Sequence, residues 1–470
     1  MSKLIESTHE RDVLVNNGYM YLFDALSSDK KRRFWRCRNK NDCKARVHTT
    51  VDDIEIIKSI NEHTHDSEAA KIEGNVAVNN IKRRAADTTE STSNVINECL
   101  AGLSEAAKGA IQSNYALKKQ VRRKRNNTQA VPEAPKDLTT LEIPDVYKMY
   151  SPSEGHVEQF LLADSGPGTE RILIFGRRRY LDILRNSKTW LGDGTFKISP
   201  PLFTQVYVIL AEYLNGVHPI IYALLPDKFT KTYEKLFQML INLCPELCPT
   251  SISLDYELAA INAVKKNFPN IIIHGCFFHL TKNFKKKIGE LHLISKYNND
   301  ADFSISVKMI IAIAFVCINK IDIAIDALAE NLPEELQPLL EWFEDNYVGR
   351  LNRNGRGRRP ARFPPSIWNL NERVLNGIHR TNNHAEAANR RINVEMGMVH
   401  PTLWSFITCL RKIQAGRDTY LFQLESGRSP PKKLKKYIDT DKRLLKIVQE
   451  SDTRDILTYL RGVAHNISLQ

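Results

Sequence analysis

Two cysteines and two histidines near the N-terminus are spaced like the ligands of a structural zinc site. Five residues separate Cys37 from Cys43, and one separates His63 from His65. Two thiolates and two imidazoles are a ligand set that tetrahedral Zn²⁺ prefers. A unit of about 55 residues has a small core, so a bound metal would add folding energy. The pattern predicts structural Zn²⁺, and the alternative is two core cysteines beside surface histidines.

Three acidic residues form a second candidate metal site. Asp193 lies between two glycines in an apolar segment, and Asp255 ends a strand-like run before a helix. Glu386 falls among alanines in the first turn of another predicted helix. Adjacent carboxylates raise each other's pKa unless a cation neutralises them, and Mg²⁺ or Mn²⁺ suits oxygen ligands. Taken singly, each acid is equally well explained as a helix cap or a surface charge.

The segments around these acids predict an α/β sheet. The expected order is strands at 189–198, 203–213 and 217–225, helix 230–243, strand 250–254, helix 257–267, strand 270–275 and then a long helical tract. Asn215-Gly216 is typical of a hairpin turn. Three antiparallel strands followed by strand–helix units resemble an RNase H-like sheet. Asp193 and Asp255 would be neighbours if the first and fourth strands were adjacent.

Composition limits the class of partner. The chain has 470 residues, enough for two to four folded units, and a formal net charge of +13. That charge favours a polyanionic partner, nucleic acid before an acidic membrane. The first residues lack the apolar core of a secretion signal. The longest apolar run, Met309–Ile318, is about half a bilayer span and predicts a buried helix, so no membrane is expected.

Residues 12–66 are aromatic and basic, with strand-like runs at 19–23 and 53–57. Residues 68–140 are rich in Ser, Thr, Asn, Lys and Ala, and we predict a flexible basic linker there, in which residues 97–120 could form a transient helix. Within that segment, Arg122–Arg125 is a run of four basic residues. It fits a nuclear-import signal, a phosphate-contacting arm or a solvated charge run.

The N-terminal motif resembles a named zinc finger. Tyr19–Phe23, Phe34–Cys37, Cys43 and His63–His65 are similar to the FLYWCH family. The resemblance implies a β-rich, DNA-binding zinc module over residues 1–67. Basic residues around its ligand loop suit phosphate contacts, chiefly Arg32, Arg33, Arg36, Arg38 and Lys44.

The larger part of the chain resembles the Mutator-like (MULE) transposase domain. The similar motifs are Gly192–Phe196, Leu254–Glu257 with Ala260–Val264, Gly275–His279, and Thr381–Asn383 with Glu386. The resemblance implies an RNase H-like DDE core in which Asp193, Asp255 and Glu386 bind catalytic Mg²⁺ or Mn²⁺. It divides the chain into a core at 141–281 and 375–425, a helical insertion at 282–374 and a basic helical tail at 426–470.

Cys276 and His279 form a pair that the family often carries, which implies an auxiliary role in the active site or on DNA. The alternative is a buried cysteine and a histidine that starts a helix. The segments Arg350–Arg362 and Lys282–Lys287 offer cations to a phosphate backbone, or are solvated.

The resemblance implies metal-dependent cleavage and strand transfer at transposon ends. The expected partner is double-stranded DNA in the nucleus, and the chain is expected to be a homo-oligomer on DNA ends. Three alternatives stay open. They are a host-domesticated DNA-binding regulator with an inactive fold, a zinc-dependent binding module on an inert scaffold, and an RNase H-like nuclease acting on RNA.

Overall fold

The computed structural model describes residues 3–6, 12–88, 90, 92–128, 132, 135–352, 357–378, 380, 383–431 and 434–469. The chain forms two compact units, residues 1–133 and residues 134–470.

The first unit begins with a six-stranded antiparallel meander. Its strands pair in chain order and are β1 (Lys3–Glu6), β2 (Asp12–Asn16), β3 (Tyr19–Leu26), β4 (Arg32–Cys37), β5 (Arg46–Thr50) and β6 (Ile56–Ile60). Asn17 and Gly18 both have positive φ, as the tight β2–β3 hairpin requires. Alternate strand residues form a small core of Leu14, Tyr21, Trp35 and Val47.

Of the two strands predicted in this unit, one is present where it was expected and the other begins later. The prediction at 19–23 is confirmed by β3. The prediction at 53–57 is displaced, because β6 begins only at Ile56. The residues before it turn the chain, and Ile54 has positive φ there.

Four helices follow where the sequence predicted a flexible linker. They are α1 (Ala69–Asp87), α2 (Thr92–Leu100), α3 (Glu105–Ala110) and α4 (Asn114–Thr128). Their inward faces share a core of Val78, Ile81, Ala85, Val95, Ile96, Leu117 and Val121. The linker prediction relied on the loss of aromatic residues, but small aliphatic side chains at helical spacing suffice for a core of this size.

A seven-stranded mixed sheet forms the centre of the second unit. A separate ribbon of β7 (Met149–Ser153) and β8 (His156–Gln159) precedes it. The sheet strands are β9 (Leu161–Asp164), β10 (Leu173–Gly176), β11 (Thr189–Thr195), β12 (Gln205–Tyr213), β13 (Gly216–Leu225), β14 (Ser251–Leu254) and β15 (Ile272–Gly275). Their spatial order is β15-β14-β11-β12-β13-β10-β9. β11 to β13 are antiparallel and β14 pairs parallel with β11, so the strands predicted between residues 189 and 275 are confirmed.

A short helix, α5 (Asp145–Lys148), contacts β7 of the separate ribbon. Three further helices belong to the sheet region, α6 (Leu181–Asn186), α7 (Thr230–Leu243) and α8 (Leu258–Asn267). In α7 the buried residues Tyr233, Leu236, Phe237 and Leu240 recur at helical spacing, as predicted. α7 and α8 connect β13, β14 and β15.

The segment predicted as a helical insertion is helical. Its helices are α9 (Phe277–Glu290), α10 (Ile294–Asn299), α11 (Ala301–Ala312), α12 (Ile321–Asn331), α13 (Gln337–Phe343), α14 (Pro365–Trp368) and α15 (Asn371–Leu375). Phe284, Phe343, Tyr347 and Trp368 are fully or almost fully buried among them. The apolar run Met309–Ile318 is buried over most of its length. Among the described residues, every helix falls short of the length and apolar character needed to cross a membrane.

The remaining helices are α16 (Asn383–Met396), α17 (Leu403–Glu425), α18 (Lys435–Gln449) and α19 (Ile456–Ala464). α16 lies against β11, β12 and β13. α19 packs on α11, and the Tyr459 hydroxyl donates to the Phe315 carbonyl at 2.6 Å. The tail predicted at 426–470 thus contains two helices, α18 and α19, and α19 belongs to the core because its apolar face is buried.

A buried polar network fastens α17 to the sheet side of this unit. The Asp418 carboxylate accepts hydrogen bonds from Tyr150 and Arg177, each at 2.7 Å, from Gln414 at 2.8 Å and from Tyr180. Removing one member of such a network leaves the others buried without a partner.

We expect Asp418→Ala to lower the free energy of unfolding by about 3–5 kcal/mol, because Arg177 and two tyrosines lose their acceptor. Urea denaturation of the full chain measures this. Glu425→Ala is the control: it removes an acid that pairs with Arg179 at 3.3 Å on the surface. It should cost less than about 1 kcal/mol. Equal losses in the two variants would contradict the network's role.

Candidate metal centres

The first centre joins Cys37, Cys43, His63 and His65. Their ligand atoms all lie within 4.8 Å of one another. The Cys37 Sγ–His65 Nε2 distance is 3.2 Å, Cys43 Sγ–His63 Nδ1 is 3.4 Å, and the two imidazole nitrogens are 3.3 Å apart. Four such ligands on one Zn²⁺ would be separated by about 3.3–3.8 Å. The predicted set therefore comes together with the chemistry and spacing that Zn²⁺ requires.

The outer nitrogens of both histidines have partners that favour this arrangement. His63 Nε2 is 2.7 Å from the Tyr21 hydroxyl, and its ring stacks on Tyr19 with centroids 3.6 Å apart. His65 Nδ1 is 2.8 Å from the Asp66 carbonyl. An N–H on each of those atoms leaves the other ring nitrogen free to bind metal.

The electrostatics of the two thiols differ. Burial raises the pKa of Cys37. Burial acts on Cys43 in the same direction, but the backbone N–H groups of Ala45 and Thr64 outweigh it and bring the pKa of Cys43 to about 7. Burial and the neighbouring His65 lower the pKa of His63, which keeps that imidazole neutral. Zn²⁺ binds thiolates and neutral imidazoles, so the lowered pKa values of Cys43 and His63 both favour it.

The five basic residues predicted to contact phosphate do not share one environment. Arg32, Arg38 and Lys44 are exposed. Arg33 and Arg36 are half-buried and lie 3.8 Å from Asp12 and 3.6 Å from Asp24, respectively. The exposed three are thus the freest to meet a phosphate backbone.

The second centre joins Asp193 and Asp255. Asp193 lies on β11 and Asp255 follows β14, and the parallel register pairs Leu191 with Ser253, two residues before each aspartate. Carboxylate oxygens of both residues and a ring nitrogen of His279 all lie within 4.8 Å of one another. The expected juxtaposition of the two acids is therefore what the sheet produces.

Asp193 is almost fully buried. Its carboxylate accepts hydrogen bonds from Asn389 Nδ2 at 2.8 Å and from the Gly194 backbone at 2.9 Å. Burial, then the charge of Asp255, raise the pKa of Asp193 to about 6. Burial also raises the pKa of Asp255, which Lys228 partly offsets. One buried and one half-buried acid, both with raised pKa values, are an environment that a divalent cation would stabilise.

Cys276 and His279, predicted as an auxiliary pair, have different surroundings. Cys276 is buried at the start of α9, outside both metal-ligand groups that occur among the described residues. His279 lies in the first turn of α9, where burial and then Lys282 lower its pKa to about 4. His279 is therefore a neutral imidazole beside the paired acids, able to accept a metal or a proton.

Glu386 lies in the first turn of α16, but its side chain is outside the described residues. The neighbouring Ala385, Ala388 and Asn389 are buried, so the small residues do let this helix approach the sheet. Asn389 and Asn393 were not predicted as site residues. They bond Asp193 and Thr195 respectively, and their helical spacing from Glu386 was the signal available.

A cavity of about 390 Å³ opens beside Asp255. Lys228, Glu257, His279, Asn283 and Arg362 contribute to its wall. Two basic segments were predicted to meet phosphate. Segment 282–287 contributes Asn283 to this wall, and segment 350–362 contributes Arg362.

Other arginines of the 350–362 segment serve the fold instead. Arg350 pairs with Asp345, and Arg358 lies 2.7 Å from Asp322 while also pairing with Glu344. Residues 353–356 lie outside the described residues.

The glycines on either side of Asp193 make room for side chains of the neighbouring strand. A Cβ on Gly192 would stand 2.4 Å from the Tyr207 hydroxyl and 2.9 Å from Leu254. A Cβ on Gly194 would stand 2.4 Å from Gln205 Oε1. Both positions therefore exclude any larger residue unless β12 shifts.

We expect Gly192→Ala to lower the free energy of unfolding by about 1–3 kcal/mol, because the buried Tyr207 ring has to move. Thermal unfolding of the full chain measures the effect. Gly416→Ala is the control, since nothing lies within 4 Å of a Cβ there. At that exposed position in α17, alanine should raise stability by about 1 kcal/mol. An unchanged midpoint for Gly192→Ala would show that the strand packing is looser than described.

Two family matches cover these centres. Residues 4–65 match the FLYWCH zinc finger domain, and residues 189–283 match the MULE transposase domain. The chain therefore carries both domains, which confirms the two resemblances inferred from its motifs.

Curated relatives match at the finger. FLYWCH transcription factor 1 of Caenorhabditis elegans is 48% identical over 52 residues, which is 11% of this chain and 10% of that protein. FLYWCH transcription factor 2 of the same organism is 38% identical over 56 residues, 12% of each. The chain thus spans about a tenth of the length of these relatives.

Among solved structures, the Drosophila P element transposase strand transfer complex aligns over 87% of this chain and 94% of that one. The identity is 11% and the TM-score 0.21, a likeness too weak to carry an argument.

Proposed function

We propose that this chain, which carries a FLYWCH zinc finger and a MULE transposase domain, is a DNA transposase that cleaves and joins DNA strands at transposon ends. The observation that carries the proposal is the pairing of buried Asp193, on β11, with half-buried Asp255, directly after the adjacent parallel strand β14. Two acids with raised pKa values would be poorly tolerated there without a cation. Both aspartates lie within residues 189–283, which match the MULE transposase domain, so we connect that cation to the cleavage and joining of DNA strands.

The sheet supports an RNase H-like core. Its central strands lie in the order β15-β14-β11-β12-β13, with three antiparallel strands followed by two parallel ones. This is the arrangement expected from the sequence for such a core. Asp193 lies on the central strand, β11, and Asp255 directly follows its parallel neighbour, β14. Both carboxylates therefore lie towards the carboxyl ends of these two strands.

Glu386 completes the proposed DDE triad. It lies in the first turn of α16, three residues before Asn389. Asn389 donates to Asp193, and α16 lies against β11. His279 is a further candidate ligand, because its neutral ring nitrogen belongs to the same group of donor atoms.

Mg²⁺ or Mn²⁺ held by these acids would supply the activation of water or of a DNA 3′-hydroxyl, and the stabilisation of the departing 3′-oxygen. The chain's own groups do the positioning. Asn389 and the Gly194 backbone fix the orientation of Asp193. Lys228 and Arg362 in the cavity wall offer cations to the phosphates on either side of the scissile bond.

The FLYWCH finger is the proposed recognition module for double-stranded DNA. Structural Zn²⁺ on its four ligands would hold β4 and the loops after β4 and β6 together, and exposed Arg32, Arg38 and Lys44 would contact phosphates. Nuclear localisation and homo-oligomerisation on DNA ends belong to the same proposal. Sizing of the complex with terminal duplex tests the oligomer, which should contain at least two chains.

The test uses purified full-length protein and a labelled duplex carrying the element's terminal inverted repeat, with Mg²⁺ or Mn²⁺. Metal-dependent nicks at the repeat boundary and joined products are expected. Tight binding without cleavage under either metal would identify a domesticated regulator or an inert scaffold behind a zinc module. Preferential cutting of an RNA strand would identify an RNase H-like nuclease instead.

A further inference from the structure

Helices α3 and α4 follow one another across a short turn, and both pack on α1. α3 ends at Ala110 and α4 begins at Asn114, which leaves a turn of three residues. Ser104 caps the start of α3 by accepting from the Ala107 backbone at 3.2 Å, and Ser113 accepts from the Ala116 backbone at 3.3 Å. A capped helix that follows a short turn also carries the DNA contacts in helix–turn–helix proteins.

One side of α4 is fixed in the core and the other is exposed. Leu117 and Val121 are buried with α1 and α2. On the opposite side, at a spacing of about one helical turn, stand Tyr115, Lys119 and Arg122, and Arg123 lies beside them. Tyr115 is 78% exposed, unusual for so large a ring, and the three basic residues are also exposed.

Four of the basic side chains on this helix have no acidic partner among the described residues. Six of its fifteen residues are Lys or Arg and none is Asp or Glu. Lys118, Lys119, Arg122 and Arg123 make neither a hydrogen bond nor an ion pair anywhere in the described part of the chain. Basic side chains without acidic partners, on an ordered helix, are what a polyanion would complement.

Arg125, in the same helix, is by contrast bonded within the fold. Its guanidinium donates to the carbonyls of Ala85, Thr88 and Glu90 at 3.2, 3.2 and 2.7 Å, which closes the C-terminal end of α1. The run Arg122–Arg125 is therefore part of a packed helix, and one of its four residues is committed to the fold.

The turn that precedes α4 lies close to the finger. Arg38 of the finger and residues 110–112, which lead into α4, line one cleft of about 400 Å³. The start of α4 consequently lies near an exposed arginine already assigned to phosphate contact.

We infer that α4 is a second DNA-docking element, which places Lys119, Arg122 and Arg123 on the phosphate backbone and Tyr115 at the groove. The inference rests on the proposed function only in choosing duplex DNA among polyanions. The finger and α4 would then bind one continuous stretch of duplex.

The experiment compares full-length, zinc-loaded wild type with Lys119→Gln/Arg122→Gln/Arg123→Gln. The probe is a random-sequence duplex of about 20 base pairs, two helical turns, titrated over a series of salt concentrations. Each lost phosphate contact lowers the slope of log K against log salt by about 0.9. We expect a slope lower by about 2–3 and an affinity about 10–100-fold weaker near physiological salt.

Two controls separate position from charge. Lys435→Gln/Lys436→Gln/Lys442→Gln removes three exposed charges from α18 and should leave the slope unchanged. Tyr115→Ala should weaken binding without changing the slope, because the ring carries no charge. Circular dichroism checks that each variant keeps its helices.

An α4 triple variant with wild-type slope and affinity overturns the inference, as does an equal fall in the α18 control. A loss confined to duplex RNA would also overturn it. The strand-cleavage assay is independent of these readouts. A chain that binds through α4 but never cuts would refute the proposed transposase and leave this inference standing.

Discussion

Asp193→Asn is expected to abolish metal-dependent cleavage of duplex DNA, with a loss of about 10³-fold or more. The metal's stabilisation of the reacting oxygens is worth several kcal/mol, and each 1.36 kcal/mol is tenfold in rate. Single-turnover cleavage with Mg²⁺, at saturating DNA, measures the loss. Asp182→Asn, which alters an exposed aspartate of the same unit paired with Arg185, is the control and should cut normally.

The same substitution should not weaken the fold of the metal-free protein. The pKa of Asp193 is raised from 3.8 to about 6, so its contribution to stability is present at low pH and lost as pH rises through 6. At pH 7 the ionised group costs about 3 kcal/mol. Asparagine removes that cost and loses one hydrogen bond worth about 1 kcal/mol.

Metal-free Asp193→Asn is therefore expected to melt at or above the wild-type temperature, and Mg²⁺ should stabilise only the wild type. A variant that is inactive because it is unfolded would contradict this account. So would a variant that Mg²⁺ stabilises as strongly as the wild type.

Cys37→Ser is expected to unfold the finger and to remove most DNA affinity. Structural zinc sites contribute about 10–16 kcal/mol of apparent binding free energy, and a hydroxyl does not replace a thiolate ligand. Trp35 is fully buried in the finger core and is the only tryptophan in residues 1–133. Its fluorescence should therefore shift to longer wavelength in the variant, and in wild type after chelation.

Cys99→Ser is the matched control for that prediction. Cys99 is half-buried in α2 of the same unit and lies outside the metal-ligand groups found among the described residues. It should keep its zinc, its fluorescence and its DNA affinity. Full DNA binding by a zinc-free Cys37→Ser would show that the finger is not the recognition module.

The parts of the molecule that sequence predicted well are those specified by local pattern. The hairpin between β12 and β13 lies where it was predicted, although its two loop residues are Leu214 and Asn215, because Gly216 already pairs with Tyr213. Apolar spacing located α7. The Cys–His motif requires only four residues within one small unit, so its ligand set also followed from spacing.

The features that the sequence did not predict depend on packing between residues that are far apart in the chain. Asn389 matters because α16 lies on β11, nearly two hundred residues earlier in the chain, and no local pattern records that contact. The helices from 69 to 128 pack through small aliphatic residues, so their composition resembled a linker. α19 joins the core through Tyr459, which a basic tail did not predict.

The most direct test of the central claim is a change of metal preference in DNA cleavage by Asp193→Cys. A thiolate is a poor ligand for hard Mg²⁺ and accepts softer transition metals more readily. The account predicts that wild type cuts the terminal duplex with either Mg²⁺ or Mn²⁺, whereas the cysteine variant cuts only with Mn²⁺. Equal cleavage by the variant with both metals, or no cleavage by the wild type with either, would contradict a metal-bound Asp193 at the centre of a DNA transposase.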